Sequence, residues 1–265
     1  MNWKASKETT PRRYDSRRVS TVPDHSVHPL EESIAGSSTA WLTSSAVVVA
    51  FLLCLMDGVV GRPAAETRSR ETVWTFDQAA PGTLPEAFSV GTLFDGRPAG
   101  EWKILITNRA KSASQVLAQV TSKGTDQAYK LVLLDGTAGS NVDVEVSFLA
   151  VSGKADLGGG LIWRAKDDRN YYLLRASAVE QNVRLYRVVK GTRHLVKNHN
   201  RSIGQSGWHT LRVIQRGCQM QIQYDNEPLF QLCEQTFDQG RIGLWTKSDA
   251  VTYFDDFHLR LLDEP

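Results

Sequence analysis

At 265 residues, with 41% hydrophobic and 23% charged side chains, the chain has the composition of a globular protein and not of a disordered one. Its formal net charge is only +2. Neutralising several phosphates takes a concentrated Lys/Arg surface, so nucleic acid is not an expected partner.

Ala46–Met56, AVVVAFLLCLM, is an uninterrupted apolar run. It falls short of the about 20 residues that cross a bilayer as a helix, and suits the h-region of a secretory signal. Val59 and Gly61 supply small residues at the spacing signal peptidase accepts, which predicts cleavage after Gly61. The expected organisation is a polar leader plus signal over 1–61 and one domain over 62–265. No membrane span is expected after processing, and the expected destination is the periplasm, the cell surface or the medium. The leader is longer than an ordinary n-region, and three accounts fit it: a start codon upstream of the true one, a cytoplasmic tail before an uncleaved anchor, or a twin-arginine signal at Ser16-Arg17-Arg18. Cys54 lacks the preceding small residues of a lipoprotein signal.

From Val73 onward, segments alternate with period two and Gly, Asn or Asp interrupts them every 8 to 12 residues, the pattern of a sandwich or barrel. No amphipathic helix is evident. Val142, Val144, Val146, Phe148 and Ala150 share one face of a predicted strand, and Asp143, Glu145 and Ser147 the other. Gly158 to Gly191 reads as three antiparallel strands broken by turns. With no Pro- or Ser-rich linker and no repeat of 20 to 50 residues, one double-sheet domain is expected.

Further on, Met220, Ile222 and Tyr224 alternate with Gln219, Gln221 and Gln223, and a turn at Asp225-Asn226 leads back toward Cys233. A two-residue turn sets Cys218 opposite Cys233, as a cross-strand disulfide requires, but puts Phe230 and Leu232 on the Gln face. A one-residue shift restores both to the apolar face, worth roughly 3 to 6 kcal/mol against roughly 3 kcal/mol for the disulfide. The apolar pattern is therefore expected to prevail, leaving the two thiols on opposite faces and free.

WTFDQAAPGTLPEAF at Trp74, VLAQV at Val116, GGGLIWR…NYYLLR…NVRLYRVV, GWHTLRV at Gly207 and GLWTKSDAVTYFDDF at Gly243 occur in order. Together they resemble a family of exported bacterial proteins grouped with the 3-keto-disaccharide hydrolase domain and, more distantly, with laminin G-like and family 16 glycoside hydrolase folds. The resemblance covers nearly all of 73–262. It implies an all-β, two-sheet antiparallel jelly roll of the concanavalin A-like type and carbohydrate-related work, and brings no catalytic residue with it.

Family 16 glycosidases carry their acids as E-x-D-x-E, because period two places all the carboxyls on one face. Asn141-Val142-Asp143-Val144-Glu145 has that spacing with an amide where the nucleophile belongs, and an amide cannot form the glycosyl ester. An ordinary strand with solvated acids is the expectation there. Sugars stack on aromatic rings and guanidinium groups fork onto hydroxyls or carboxylates. By alternation Arg164, Tyr171, Arg175, Arg184, Tyr186, Trp245 and Lys247 point away from the core, as either a carbohydrate platform or a cover of amphipathic stems. Asp255 shares a face with Tyr253 and Phe257 and so needs a partner: loop amides or an Arg, a bulge turning it outward, or Ca²⁺. No other cofactor is implied. His194 and His199 fall in a predicted loop, and the glycines at 158 to 160 precede a strand, so they are no phosphate loop. Three functions fit these features: carbohydrate recognition, hydrolysis or lysis of a (3-keto-)disaccharide or related glycoside, and a structural or adhesive surface. The sugar and the oligomeric state are not legible.

Overall fold

Strand β6 (Val142–Ser152) shows the physics that builds the molecule: Val142, Val144, Val146 and Phe148 are fully buried on one side, and Asp143 and Glu145 lie on the other. The computed structural model describes residues 71–263, in which every strand pair is antiparallel. The leader, the apolar run, Cys54 and the cleavage site lie outside the described residues. Among the described residues no helix is long and apolar enough to cross a membrane.

The strands before β6 are β1 (Glu71–Trp74), β2 (Phe88–Val90), β3 (Trp102–Ile106), β4 (Gln115–Gln119) and β5 (Tyr129–Gly139). After it come β7 (Gly158–Asp167), β8 (Asn170–Ser177), β9 (Asn182–Val189), β10 (Thr192–Asn200), β11 (His209–Arg216), β12 (Gln219–Tyr224), β13 (Glu227–Cys233), β14 (Gly240–Lys247) and β15 (Val251–Leu261). One sheet runs β13-β12-β11-β6-β15-β4-β3, with β1 on β15, and the other runs β10-β9-β8-β7-β14-β5-β2. Neighbours far apart in sequence, such as β7 and β14 or β6 and β15, mark the crossovers of a sandwich. His194 and His199 belong to β10, not to a loop.

The main core lies between the sheets, where Val144 and Phe148 of the first face Leu161, Trp163 and Leu244 of the second, and it takes residues from Phe76 to Leu259. A smaller apolar cluster forms on the outer face of the second sheet from Leu131, Leu133, Ile162, Tyr171, Leu173, Tyr186, Val188 and Trp245. The connection from β2 to β3 lies over part of it. Residues 91–100 fold back on themselves through Leu93 N–H to Arg97 O (2.8 Å) and Ala99 N–H to Gly91 O (2.7 Å), and Gly91 N–H ties the segment to Leu131 O of β5 (3.0 Å). Ala99 is thereby part of the cluster.

The hairpin β12–β13 corrects the expectation for the cysteines. Cys218 and Cys233 form a disulfide, with Cα atoms 4.7 Å apart. The apolar pattern survives as well: Met220 pairs with Leu232 and Ile222 with Phe230, and both partners pack on the core. The two requirements are compatible because the register shifts between Ile222 and Gln223, where Pro228 pairs with Gln223 and Phe230 with Ile222. The extra residue, Leu229, is a β-bulge, which moves the rest of the strand by one position. Cys233 then lies opposite Gln219, diagonal to Cys218 and within reach of it.

Asp255 takes the loop-amide solution. Its carboxylate accepts from Lys111 N–H (3.0 Å), Ser112 N–H (2.9 Å), Ser112 Oγ (2.8 Å) and Asp256 N–H (2.8 Å). Burial nonetheless pushes its carboxyl above the ordinary range.

Candidate functional site

Alternation assigned the outer face of the second sheet correctly for most of the predicted platform, but not its exposure. Tyr171 is fully buried, and Trp245, Arg175 and Arg164 are 1 to 2% exposed. Tyr186 and Lys247 are buried too, and only Arg184 keeps about a third of its side chain in solvent. An exposed stacking surface centred on Trp245 is therefore ruled out: its ring lies against Tyr129 (centroids 5.6 Å) and under the Arg193 guanidinium. Space for the indole comes from Gly160, its partner on β7, where a Cβ would stand 2.8 Å from Leu173 Cδ1 and 3.2 Å from Trp245 Cε3.

Most of the predicted guanidinium groups are engaged by the protein itself. Arg164 has φ +49° at a register shift, so Ala165 takes the place in the outer cluster and the guanidinium turns to the backbone oxygens of Ser140, Phe237 (2.8 Å) and Gly217 (2.8 Å). Arg175 and Arg184 share Glu180, the former at 2.8 Å, and Arg184 also donates to Asn198 Oδ1 (2.8 Å). Lys247 lies 3.6 Å from Asp126. For these four residues the paired-cover reading describes what the structure holds.

A cleft of about 320 Å³ opens at the edge of the same face, lined by Phe94, Gln127, Tyr129, Tyr186, Arg193 and Leu195. Phe94 and Leu195 are 58% and 56% exposed and stand as apolar rims. Gly191, with φ +79°, lets the chain turn beneath Phe94, whose ring a Cβ at that position would strike. Arg193 reaches inward from β10, its Cζ 4.9 Å from the Tyr129 ring centroid, 5.1 Å from Tyr186 and 5.7 Å from Trp245, and its Nε donates to Tyr129 Oη (3.0 Å). Each such cation–π contact contributes roughly 0.5 to 2 kcal/mol and fixes the guanidinium in place. Phe94 and Gln127 also border a larger groove of about 840 Å³, whose lining includes Lys130, Thr121, Glu101 and Asp95. Of the predicted set, Tyr186 alone lines the cleft. Phe94, Tyr129 and Arg193 were missed; an aromatic in a Gly/Pro-rich connection and an Arg just past a Lys-Gly turn were the available signals.

The acids of the family 16-like spacing are on the other sheet. Asn141 Oδ1 accepts from Gly217 N–H (2.8 Å), and Asp143 takes a two-pronged contact from Arg212 (2.8 Å each) and a further bond from Arg260. Burial raises the Asp143 carboxyl, but the two guanidinium groups outweigh it and hold the group below the ordinary range. Asp143, Arg212 and Arg260 line a hollow of about 190 Å³ with Glu71, Glu145 and His258. Asp143 is thus a paired, largely buried acid and not a solvated one.

No protein-family model matches the chain, and no curated protein matches it. Among solved structures the chain is similar to the carbohydrate binding module CBM66 from Bacillus subtilis, at 19% identity over 66% of this chain and 95% of that chain, with a TM-score of 0.53. It is also similar to a putative glycosyl hydrolase from Parabacteroides distasonis (10% identity, 69% and 100% covered, TM-score 0.43) and to the galectin LEC-6 from Caenorhabditis elegans (11%, 67% and 99%, 0.38). None of these likenesses is to the 3-keto-disaccharide hydrolase group. The first of them, together with the sheet order, marks the chain as an all-β, two-sheet jelly roll.

Proposed function

We propose that this protein is an exported carbohydrate-binding jelly roll whose site is the cleft between Phe94 and Leu195. The observation that carries the reading is the cleft itself. Its volume of about 320 Å³ suits a small ligand, and the exposed Phe94 ring on its rim offers an apolar face for sugar C–H groups. Fold likeness to a carbohydrate binding module supports the class of ligand. Export is supported by the Cys218–Cys233 disulfide, since such bonds persist in oxidising compartments. A glycan array with the full chain tests it: binding is expected, and Tyr186→Ala should abolish it, with a thermal melt reporting whether the variant, which loses a buried ring of the cluster, still folds. A stable Tyr186→Ala protein with unchanged glycan binding places the site elsewhere.

A second reading, a hydrolase or lyase acting on a (3-keto-)disaccharide or related glycoside, draws on the adjoining groove, where Asp95 and Glu101 face the same space as Lys130. Incubation of array hits with the protein should then release sugar, and Glu101→Gln should stop the release without loss of binding.

A further inference from the structure

We infer that the cleft selects sugars bearing a carboxylate, as uronic acid residues do, and that Arg193 holds that carboxylate; the inference rests on the carbohydrate reading of the cleft. The charge inventory of this face singles Arg193 out. Arg175 meets both Glu180 (2.8 Å) and Asp156 (3.8 Å), Arg184 shares Glu180, Lys247 faces Asp126, and Arg164 has turned away from the face to three carbonyls. Arg193 alone of these, among the described residues, has neither a carboxylate within ion-pair distance nor a set of carbonyls around it; Tyr129 Oη is its one hydrogen-bond acceptor. It is also the only charged side chain in the cleft lining.

A second observation points the same way. Among the buried groups on this face without a hydrogen-bond partner are Arg193 Nη1, Trp245 Nε1 and Tyr171 Oη, together with the three nitrogens of Arg175, which meets its acids only as ion pairs. The nitrogens can only donate, and the phenol can donate as well. Burial holds the Tyr171 proton well above its ordinary range. The surroundings of the guanidinium are therefore rich in donors and poor in acceptors. A half-buried cation in such a place lacks compensation that ring faces supply only in part. A neutral hydroxyl brings a donor with every acceptor and leaves the charge unmatched. A carboxylate brings acceptors only, one negative charge and the planar geometry that a guanidinium forks onto.

Isothermal titration of the full chain with oligogalacturonate, oligoglucuronate and oligomannuronate, each beside its carboxyl-reduced neutral counterpart, tests the inference. One acidic oligosaccharide is expected to bind roughly tenfold or more tighter than its reduced partner, the difference one charge-assisted contact makes. Arg193→Gln should make the two equal, and Arg193→Lys, which keeps the charge and loses the fork, should fall between. Thermal melts report whether each variant folds, and the acid-against-reduced comparison on the unaltered chain needs no variant. Equal affinity for both members of every pair, lost together in Tyr186→Ala, overturns the inference and leaves the carbohydrate reading standing. Preference for sulfated over carboxylated sugars also overturns it. Silence toward these ligands together with a blank neutral glycan array overturns both.

Discussion

Replacing Trp245 by Ala tests whether the outer face of the second sheet is a second core or a surface. The indole is 1% exposed, within the cluster of Leu131, Tyr171, Leu173 and Tyr186. A ring of this kind buries about 150–250 Å², which at about 25 cal/mol/Å² corresponds to roughly 4–6 kcal/mol. Measured Trp→Ala changes in cores cost about 3–5 kcal/mol. The site adjoins an open cleft, so water can enter the vacated space, and the lower end, about 3 kcal/mol, is the expected loss. Two opposing details refine it. The Arg193 guanidinium also loses one of its three ring contacts, whereas the buried indole N–H has no acceptor to lose. Trp245→Phe, which keeps a ring and removes the orphan donor, should therefore cost far less, about 1 kcal/mol. Urea unfolding at 25 °C measures both, and a loss of about 3 kcal/mol lowers the midpoint of a thermal scan by roughly 6–12 °C for a domain of this size. A loss below about 0.5 kcal/mol for Trp245→Ala, the value expected of a surface change, would refute the enclosed cluster.

Three further outcomes follow from the geometry. Denatured, unreduced protein should take up no maleimide at Cys218 or Cys233, and reduction should lower stability by about 3 kcal/mol, the value for closing a loop of this length; labelling at both positions would show the bond absent. Asp143 has a folded pKa below its ordinary 3.8, so its pairing with Arg212 and Arg260 stabilises the fold above about pH 4 and is lost as pH falls through the folded value; because both guanidinium groups keep about a third or more of their surface in solvent, Asp143→Asn should cost about 1–3 kcal/mol at pH 7, and a gap to the parent that does not shrink in acid refutes the linkage. Lys130, largely buried at the groove and donating to the Thr121 carbonyl, is lowered by burial from 10.5 to about 8. The unfolded chain then holds more protons than the folded one between pH 8 and 10, so stability should rise by about 1–3 kcal/mol across that window, and Lys130→Met should flatten the rise measured by urea titration.

The parts of the fold that were legible are those where periodicity alone decides. Val142 to Phe148 and Tyr171 to Arg175 alternate without interruption, and the structure keeps each of those side chains on the face its parity assigns. What parity cannot report is a residue inserted out of phase. The bulge at Leu229 reconciled the disulfide with the apolar pattern, two demands that any regular hairpin sets against each other. The positive φ at Arg164 exchanged it with Ala165. In β10 the pairing with β9 slips between Leu195 and Lys197, and the burial pattern shows no period of two, so parity could not place Arg193 on the cleft side.

A different kind of information was missing for the site. Parity names the face of a strand but not what lies over it, and what lies over this face is the distant segment 91–100, joined to β5 by Gly91 and to the β7–β8 turn by Thr92 N–H on Asp168 (2.8 Å). That cover turns the centre of the face, around Trp245, into core, and displaces ligand access to its edge, where the cover ends at Phe94 and the β9–β10 hairpin begins. Covering also changes what the charges do. A guanidinium group that would have been free on an open sheet must find acids or carbonyls once enclosed, as Arg175 has in Glu180 and Asp156. Arg193, reaching the boundary from an irregular edge strand, is held by rings instead of acids, and its charge is left for a ligand to meet.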